Sequence, residues 1–361
     1  MNLPERMKAV KAYAPYDYRI EEVERPKPNE DEIIIKVEAC GICGSDLKAF
    51  KGSEYQWGSE GEKGVFETPV TPGHEFFGTV VEIGDRAREK KEVEIGDRIT
   101  TDQIIPCGEC KFCQKGEYWM CEVHNIYGFQ KDVAEGAFAE FMKIEKESKI
   151  YQIPDSISTE GGALIEPLAV AMHAVERAEV EFRDFVVVAG VGTIGLSLIQ
   201  LISLKNPKFL VALDINEKRL NTAEKLGADL SLNPIQEDIT EKIKKMTEGY
   251  GCDIYLNATG SPQGVKQGLE MTRKLGTFVE MSVFGEETSV DWSIIGDQKE
   301  LDVRGSHLGP YKYPVVIDLL DRNLITSNHY ISEVYSIDDF HEALERAQDE
   351  DVIKVLIRPN K

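Results

Sequence analysis

Cys107-x2-Cys110-x2-Cys113-x7-Cys121 brings four thiols into one short stretch. Four thiolates suit tetrahedral Zn(II), and a site closed by four protein ligands has no place for substrate. It is expected to be structural, ordering a loop with little core of its own. An iron–sulfur cluster is the competing occupant, but the last gap is longer than the three residues of the bacterial ferredoxin run. A second set is dispersed. Cys43 stands in Gly41-Ile42-Cys43-Gly44-Ser45-Asp46, His74 and Glu75 in Gly73-His74-Glu75-Phe76-Phe77-Gly78, and Glu166 in Ile165-Glu166-Pro167. One thiolate, one imidazole and one carboxylate leave a fourth position open, the pattern of catalytic zinc. Taken singly each has a plainer explanation: a lone Cys is usually buried filler, and Glu-Pro usually starts a helix.

A third group can bind a dinucleotide. Val186-Val187-Val188-Ala189-Gly190-Val191-Gly192-Thr193-Ile194-Gly195 reads as a strand entering G-x-G-x-x-G and then a helix. Gly190 permits the turn, Gly192 lets the backbone approach a pyrophosphate, and Gly195 lets helix and strand pack closely. The start of the helix, at Thr193 and Ile194, offers N–H groups and partial positive charge to phosphate. Alone the motif is weak. Asp214, 24 positions after Gly190 and at the end of a second strand, strengthens it. A carboxylate there accepts from both ribose hydroxyls and repels a 2′-phosphate, which favours NAD over NADP.

The elements that must carry these residues fall into two styles. The first ~155 residues read as β-rich, with strands expected at Glu32–Ala39 and Thr79–Ile83 and turns at Pro26, Pro28, Pro72, Gly73, Gly84 and Gly96. From about Glu160, strands at Phe185–Ala189, Phe209–Asp214, Asp253–Thr259 and Thr277–Val283 alternate with helices at Leu196–Leu204, Glu217–Leu226, Ile239–Thr247 and Pro262–Leu275. That alternation implies a doubly wound parallel sheet. After about Asp302 another short strand is expected, then helices at Pro314–Asn323 and Ile337–Gln348 and a final strand at Ile353–Ile357. The expected fold is α/β, with a nucleotide domain (158–300) inserted into a first domain (1–157 and 301–361).

Composition narrows the function classes. A length of 361 residues fits two domains. The net charge of −22 is spread along the chain and argues against nucleic acid or anionic membrane as a partner. Apolar runs such as 195–204 fall well short of the ~18 residues of a membrane span, and the first residues lack the apolar core of a secretion signal. A cytoplasmic location is expected. Seven cysteines, an odd number and clustered, favour metal ligation over disulfides; Cys40 and Cys252 read as small buried hydrophobes.

GICGSD, GHEFFG, the four-cysteine lobe, EPLAVAMHAV and GVGTIG follow one another in an order that resembles the zinc-dependent medium-chain alcohol/polyol dehydrogenase family over essentially the whole chain. The resemblance implies a GroES-like catalytic domain with a structural zinc lobe (about 104–125), a Rossmann domain, and a cleft between them for zinc and nicotinamide. It implies two zincs per subunit: Cys107, Cys110, Cys113 and Cys121 for one, and Cys43 and His74 with Glu75 or Glu166 for the other, the two carboxylates left as alternatives. Asp46 would fix the His74 tautomer, and Ser45 would start a proton relay. Many relatives have His three residues after that Ser; here it is Lys48, so that the relay ends in Lys48 or runs from the ribose hydroxyls directly to water, or Lys48 is an exposed lysine without a role. Arg219, Ser282, Val283, Ser306 and His307 join the cofactor contacts by the same resemblance, which also implies a homotetramer or homodimer.

Tyr118-Trp119-Met120-Cys121, His124–Gln130, Val290–Asp297 and Gly305–Tyr311 resemble the erythritol/L-threitol branch in particular, and Leu308 replaces an Arg of the sorbitol branch. The loop from Lys51 to Pro72, with Tyr55, Trp57 and Phe66, narrows the pocket around a short substrate or serves a subunit contact. The implied reaction is zinc- and NAD-dependent oxidation of a secondary hydroxyl of a small polyol. The alternatives are another polyol of the sorbitol or xylitol type, a sugar or L-threonine, or a catalytically silent NAD-binding protein.

Overall fold

The computed structural model describes residues 3–59 and 61–361; Met1, Asn2 and Glu60, the last in the 51–72 loop, lie outside the described residues. The chain forms two compact units, 1–166 with 313–361, and 167–312.

In the first unit a sheet is built around the strand Ile33–Gly41, whose sequence IIIKVEACG is almost wholly buried. Glu75–Ile83 pairs with it antiparallel on one side. Lys354–Ile357, from the end of the chain, pairs antiparallel on the other, as does Phe141–Ile144 further along. Arg98–Thr101 and Ile150–Gln152 extend one edge, and Ile331–Tyr335, parallel to Lys354–Ile357, forms the other. A hairpin of Arg6–Ala14 and Asp17–Glu24 packs on this core through Val10, Ala12 and Tyr18. Apolar residues from strands over 300 positions apart, such as Ile35 and Ile357, thus share one cluster, and its burial supplies most of the unit's drive to fold.

The second unit is a six-stranded parallel sheet, every pairing parallel. Phe185–Ala189, Phe209–Leu213 and Leu230–Leu232 run outward on one side, and Cys252–Asn257, Thr272–Glu280 and Asp302–Gly305 on the other. Numbered along the chain this is 3-2-1-4-5-6, with the order reversing beside the first strand, where dinucleotides bind. Helices Thr193–Ser203, Glu217–Lys225, Ile239–Met246 and Pro262–Met271 connect the strands. The fully buried FVVVA strand shows no polar alternation, as a strand covered on both faces should not.

The structure moves both expected boundaries, from 158 to 167 and from 301 to 313. Asp302–Gly305 pairs in parallel with Thr272–Glu280, so the nucleotide sheet keeps this strand and the chain returns to the first unit at Tyr313, not at 301. Helix Thr159–Ala178 begins in the first unit and ends in the second, with Glu166 as the last residue of the first. The helix expected to reach Leu275 stops at Met271, where Thr272 begins the next strand and Leu275 takes a left-handed conformation. Among the described residues no helix is long and apolar enough to cross a membrane.

Candidate active site

Cys43 caps the short helix Gly44–Phe50, and its backbone N–H donates to Asp46 Oδ2 at 2.8 Å. That reciprocal cap fixes the turn carrying Cys43, Ser45 and Asp46. His74 and Glu75 open the strand Glu75–Ile83, whose partner Ile33–Gly41 runs directly into the Cys43 turn, with Glu75 opposite Gly41. Pairing of two adjacent strands therefore brings together ligand-type residues more than thirty positions apart. One donor atom each from Cys43, His74 and Glu75 lie within 4.8 Å of one another.

Glu166 is not part of that trio. It is buried, and its Oε1 accepts from Gln103 Nε2 at 2.5 Å. Burial pushes its carboxyl up to about 8, against the nearby His74 charge. Glu75 carries a partner the spacing gave no hint of: Lys354 Nζ donates to its two oxygens at 2.7 and 2.5 Å and to the Ile42 carbonyl at 2.9 Å. Lys354 sits in an otherwise apolar strand, and a charged residue in such a strand is itself a sign of a buried partner. Burial acts to lower Lys354, but Glu75 prevails and its ammonium is held above the ordinary range.

His74 lies buried with one of its two nitrogens unpartnered. Nδ1 has no partner, Asp46 Oδ1 standing at 3.8 Å, and Nε2 is 3.5 Å from Ser45 Oγ. Burial disfavours its charge, yet Asp46 and Cys43 outweigh it and push the imidazole up to about 10 in the metal-free chain. The imidazole thus stands with one sulfur and one carboxylate oxygen within 4.8 Å, and thiolate, imidazole and carboxylate together suit Zn(II). The trio fits that ion. Lys48 follows on the same helix, half-buried, with burial lowering its ammonium.

The four-cysteine lobe is assembled as its spacing implied. Cys107, Cys110, Cys113 and Cys121 all offer sulfurs within 4.8 Å of one another, and none of the chain's seven cysteines is bridged. Cys107 Sγ and Cys113 Sγ are 3.9 Å apart, against ~3.8 Å across a tetrahedron with Zn–S of ~2.3 Å. The backbone N–H groups of Cys110 and Cys107 point at Cys107 Sγ and Cys121 Sγ, at 3.3 and 3.4 Å. The Cys113 N–H holds the Cys110 thiol down to about 6, and burial raises Cys113 to about 12. The set fits a closed zinc site.

In the second unit the predicted cofactor residues lie along the carboxyl edge of the parallel sheet. Gly190, Asp214, Ser282 with Val283, and Ser306 with His307 each follow a strand's last residues. Asp214 Oδ2 accepts from the Val191 N–H at 2.8 Å, and Oδ1 from the Asn216 N–H at 2.9 Å. Arg219 lies in the first turn of the next helix, Glu217–Lys225, its backbone N–H donating to the Asn216 side chain. A cavity of about 490 Å³ is lined by Gly190, Gly192, Asp214, Arg219, Thr259 and Gln263, with Ile215 and Ile235 among its apolar walls. Gly190 has φ +83°, and a Cβ on Gly195 would collide with the Gly190 carbonyl oxygen. A Cβ on Gly192 meets nothing within 4 Å, so packing does not demand glycine there and the space is left for a ligand. Helix Thr193–Ser203 has no side-chain cap. These features fit a dinucleotide.

Comparison with known proteins agrees with this anatomy. The alcohol dehydrogenase GroES-like domain family matches residues 29–155, and the zinc-binding dehydrogenase family matches 193–322. The chain is 43% identical over 358 residues to the erythritol/L-threitol dehydrogenase of Mycolicibacterium smegmatis, covering 99% of each chain. It is 34% identical to the D-arabitol-phosphate dehydrogenase of Enterococcus avium, covering 98% of each. A crystal structure of a protein from Sinorhizobium meliloti 1021, described as a zinc-binding dehydrogenase and bound to NADP, superposes with TM-score 0.89 at 30% identity, over 99% of this chain and 100% of that one. The chain belongs to the zinc-dependent medium-chain alcohol/polyol dehydrogenase family and is an NAD(P)-linked oxidoreductase.

Proposed function

We propose that the protein oxidises a secondary hydroxyl of a small polyol, of the erythritol or L-threitol kind, to the ketose, with NAD as hydride acceptor. The observation that carries this reading is the convergence of Cys43, His74 and Glu75 to within 4.8 Å, with Ser45 on the same turn as Cys43. The likeness to a dehydrogenase named for erythritol and L-threitol supports the substrate class. Seven unbridged cysteines suit zinc ligation in a reducing, cytoplasmic setting.

Cys43, His74 and a carboxylate would hold zinc, which when bound would supply Lewis acidity able to lower an oxygen acid from ~16 to ~7, or roughly 12 kcal/mol at ~1.36 kcal/mol per unit. The nicotinamide supplies the hydride acceptor. The protein's own groups do the rest. Ser45 Oγ, on the turn fixed by the Cys43–Asp46 cap, takes the hydroxyl proton as its own O–H proton leaves, either to Lys48 in its neutral amine form, which burial favours, or by way of the ribose hydroxyls to water. Asp46 stands behind the imidazole and favours the tautomer with the proton on Nδ1. Asp214, at the rim of the 490 Å³ cavity, accepts from the adenosine ribose hydroxyls and excludes a 2′-phosphate. Cys107, Cys110, Cys113 and Cys121 hold a second, structural zinc.

Rates of NAD and NADP reduction across C4–C6 polyols, L-threonine and glucose test the reading. It predicts the highest kcat/KM for a four-carbon polyol with NAD; a preference for threonine or a hexose would reject the substrate, and a preference for NADP the coenzyme.

A further inference from the structure

Between the four-cysteine lobe and Glu166 runs a short line of buried polar groups that the reaction as described does not use. Tyr118 lies inside the lobe, on the 3-10 turn Tyr118–Met120, and its carbonyl accepts from the Cys121 N–H at 3.0 Å. Its ring is 3% exposed, and its hydroxyl donates to Asp102 Oδ2 at 2.5 Å. Asp102 is 1% exposed, with its N–H donating to the Lys149 carbonyl at 3.1 Å. The next residue, Gln103, accepts through its carbonyl from the Tyr127 N–H at 3.0 Å and donates from Nε2 to Glu166 Oε1 at 2.5 Å.

We infer that Tyr118 and Gln103 are positioning residues that tie the lobe to Glu166, so that the lobe's order sets the strength with which the Cys43–His74 site holds zinc. This rests on the two-zinc reading above. The plainer explanation is that Tyr118 and Asp102 merely satisfy each other in the core, as buried polar groups must. Two features go beyond it. The line does not close on itself but ends on a carboxylate beside the trio, and Gln103 has its backbone fixed by Tyr127 so that its amide is aimed. The Glu166 turn also lacks a bond, because Pro167 has no N–H to give the carbonyl four residues back. The donation from Gln103 Nε2 is what orients the Glu166 carboxylate. Hydrogen bonds to groups around a metal typically change its affinity 10–100-fold.

The test uses full-length, zinc-loaded protein with Tyr118→Phe, Gln103→Met and the double variant, each close in volume to the original. Zinc competition against a chromophoric chelator reads the affinity of each site, and cobalt(II) absorption reads the geometry at the Cys43 site. The expected result is a lobe zinc retained in every variant. The other zinc is weakened about 10-fold or more in both single variants, with displaced cobalt bands, and the double variant is no weaker than Gln103→Met alone, as for groups acting in series. Affinities within about twofold of the parent and unchanged bands in either single variant would overturn the proposal while leaving the two-zinc reading intact. A parent protein that binds one zinc per chain would reject both.

Discussion

Glu75 reaches across Gly41 to Lys354. The two residues sit on strands that flank Ile33–Gly41, and the pair is buried, with side chains 2% and 3% exposed. A Cβ on Gly41 would run into Glu75 Oε2. Glycine at this position, the last residue of its strand, therefore opens the window through which the carboxylate meets the ammonium, a close approach that a side chain there would block.

Lys354→Met leaves the Glu75 charge buried without its partner, a change that costs about 3–5 kcal/mol in comparable pairs. A bound dication offsets part of that charge. The zinc-induced rise in melting temperature is therefore expected to be larger in Lys354→Met than in the parent, although both zinc-free and zinc-loaded forms melt lower. Calorimetry with and without chelator measures it; an equal rise in the two proteins would show that Glu75 does not face the ion.

Coenzyme choice follows from Asp214. Asp214→Ser removes an acceptor pair worth roughly 1–3 kcal/mol in charged hydrogen bonds and with it the repulsion of a 2′-phosphate. The ratio of kcat/KM for NAD over NADP should fall by about 10-fold or more. A ratio unchanged by the substitution would place the ribose elsewhere.

Burial raises the Asp102 carboxyl to about 6 from its usual 3.8, against the donation from Tyr118. A folded-state acid raised in this way binds its proton more tightly than the unfolded chain does. Its ionisation therefore destabilises the fold above pH 6, and the penalty is relieved as pH falls from 6 towards 4. Between about pH 7.5 and about pH 5.5 the parent recovers about 1 kcal/mol from this group, and Asp102→Asn recovers nothing from it. The melting temperature of Asp102→Asn relative to the parent should thus be higher at the upper pH. A difference independent of pH would mean that Asp102 keeps an ordinary carboxyl.

Much of this architecture is legible in local sequence. The strand Phe185–Ala189 and the helices beginning at Glu217, Ile239 and Pro262 were marked by short apolar runs alternating with amphipathic stretches of helix length, and the structure caps those helices with the side chains of Asn216, Asp238 and Ser261. The four thiols declare themselves because their spacing is short and the ion's geometry is strict. What could not be read is what depends on contacts between distant positions. Lys354 and Glu75 are 279 positions apart, and Gln103 and Glu166 63 apart; no periodicity links them, since sheet topology alone makes them neighbours. For the same reason spacing could not choose between Glu75 and Glu166, whereas strand register puts Glu75 beside Cys43 and His74. The return of the chain at Tyr313 was hidden because local pattern marks a short strand after about Asp302 but not the sheet it joins, and only its parallel pairing with Thr272–Glu280 assigns it to the nucleotide sheet.

The most direct test of the zinc-centred account is elemental analysis of purified, active protein and of Cys43→Ser, alongside turnover with NAD and a four-carbon polyol. The account predicts two zincs per chain in the parent and one in the variant, with turnover lost and NAD binding kept. One zinc per chain in a fully active parent, or parental turnover in Cys43→Ser, would contradict it.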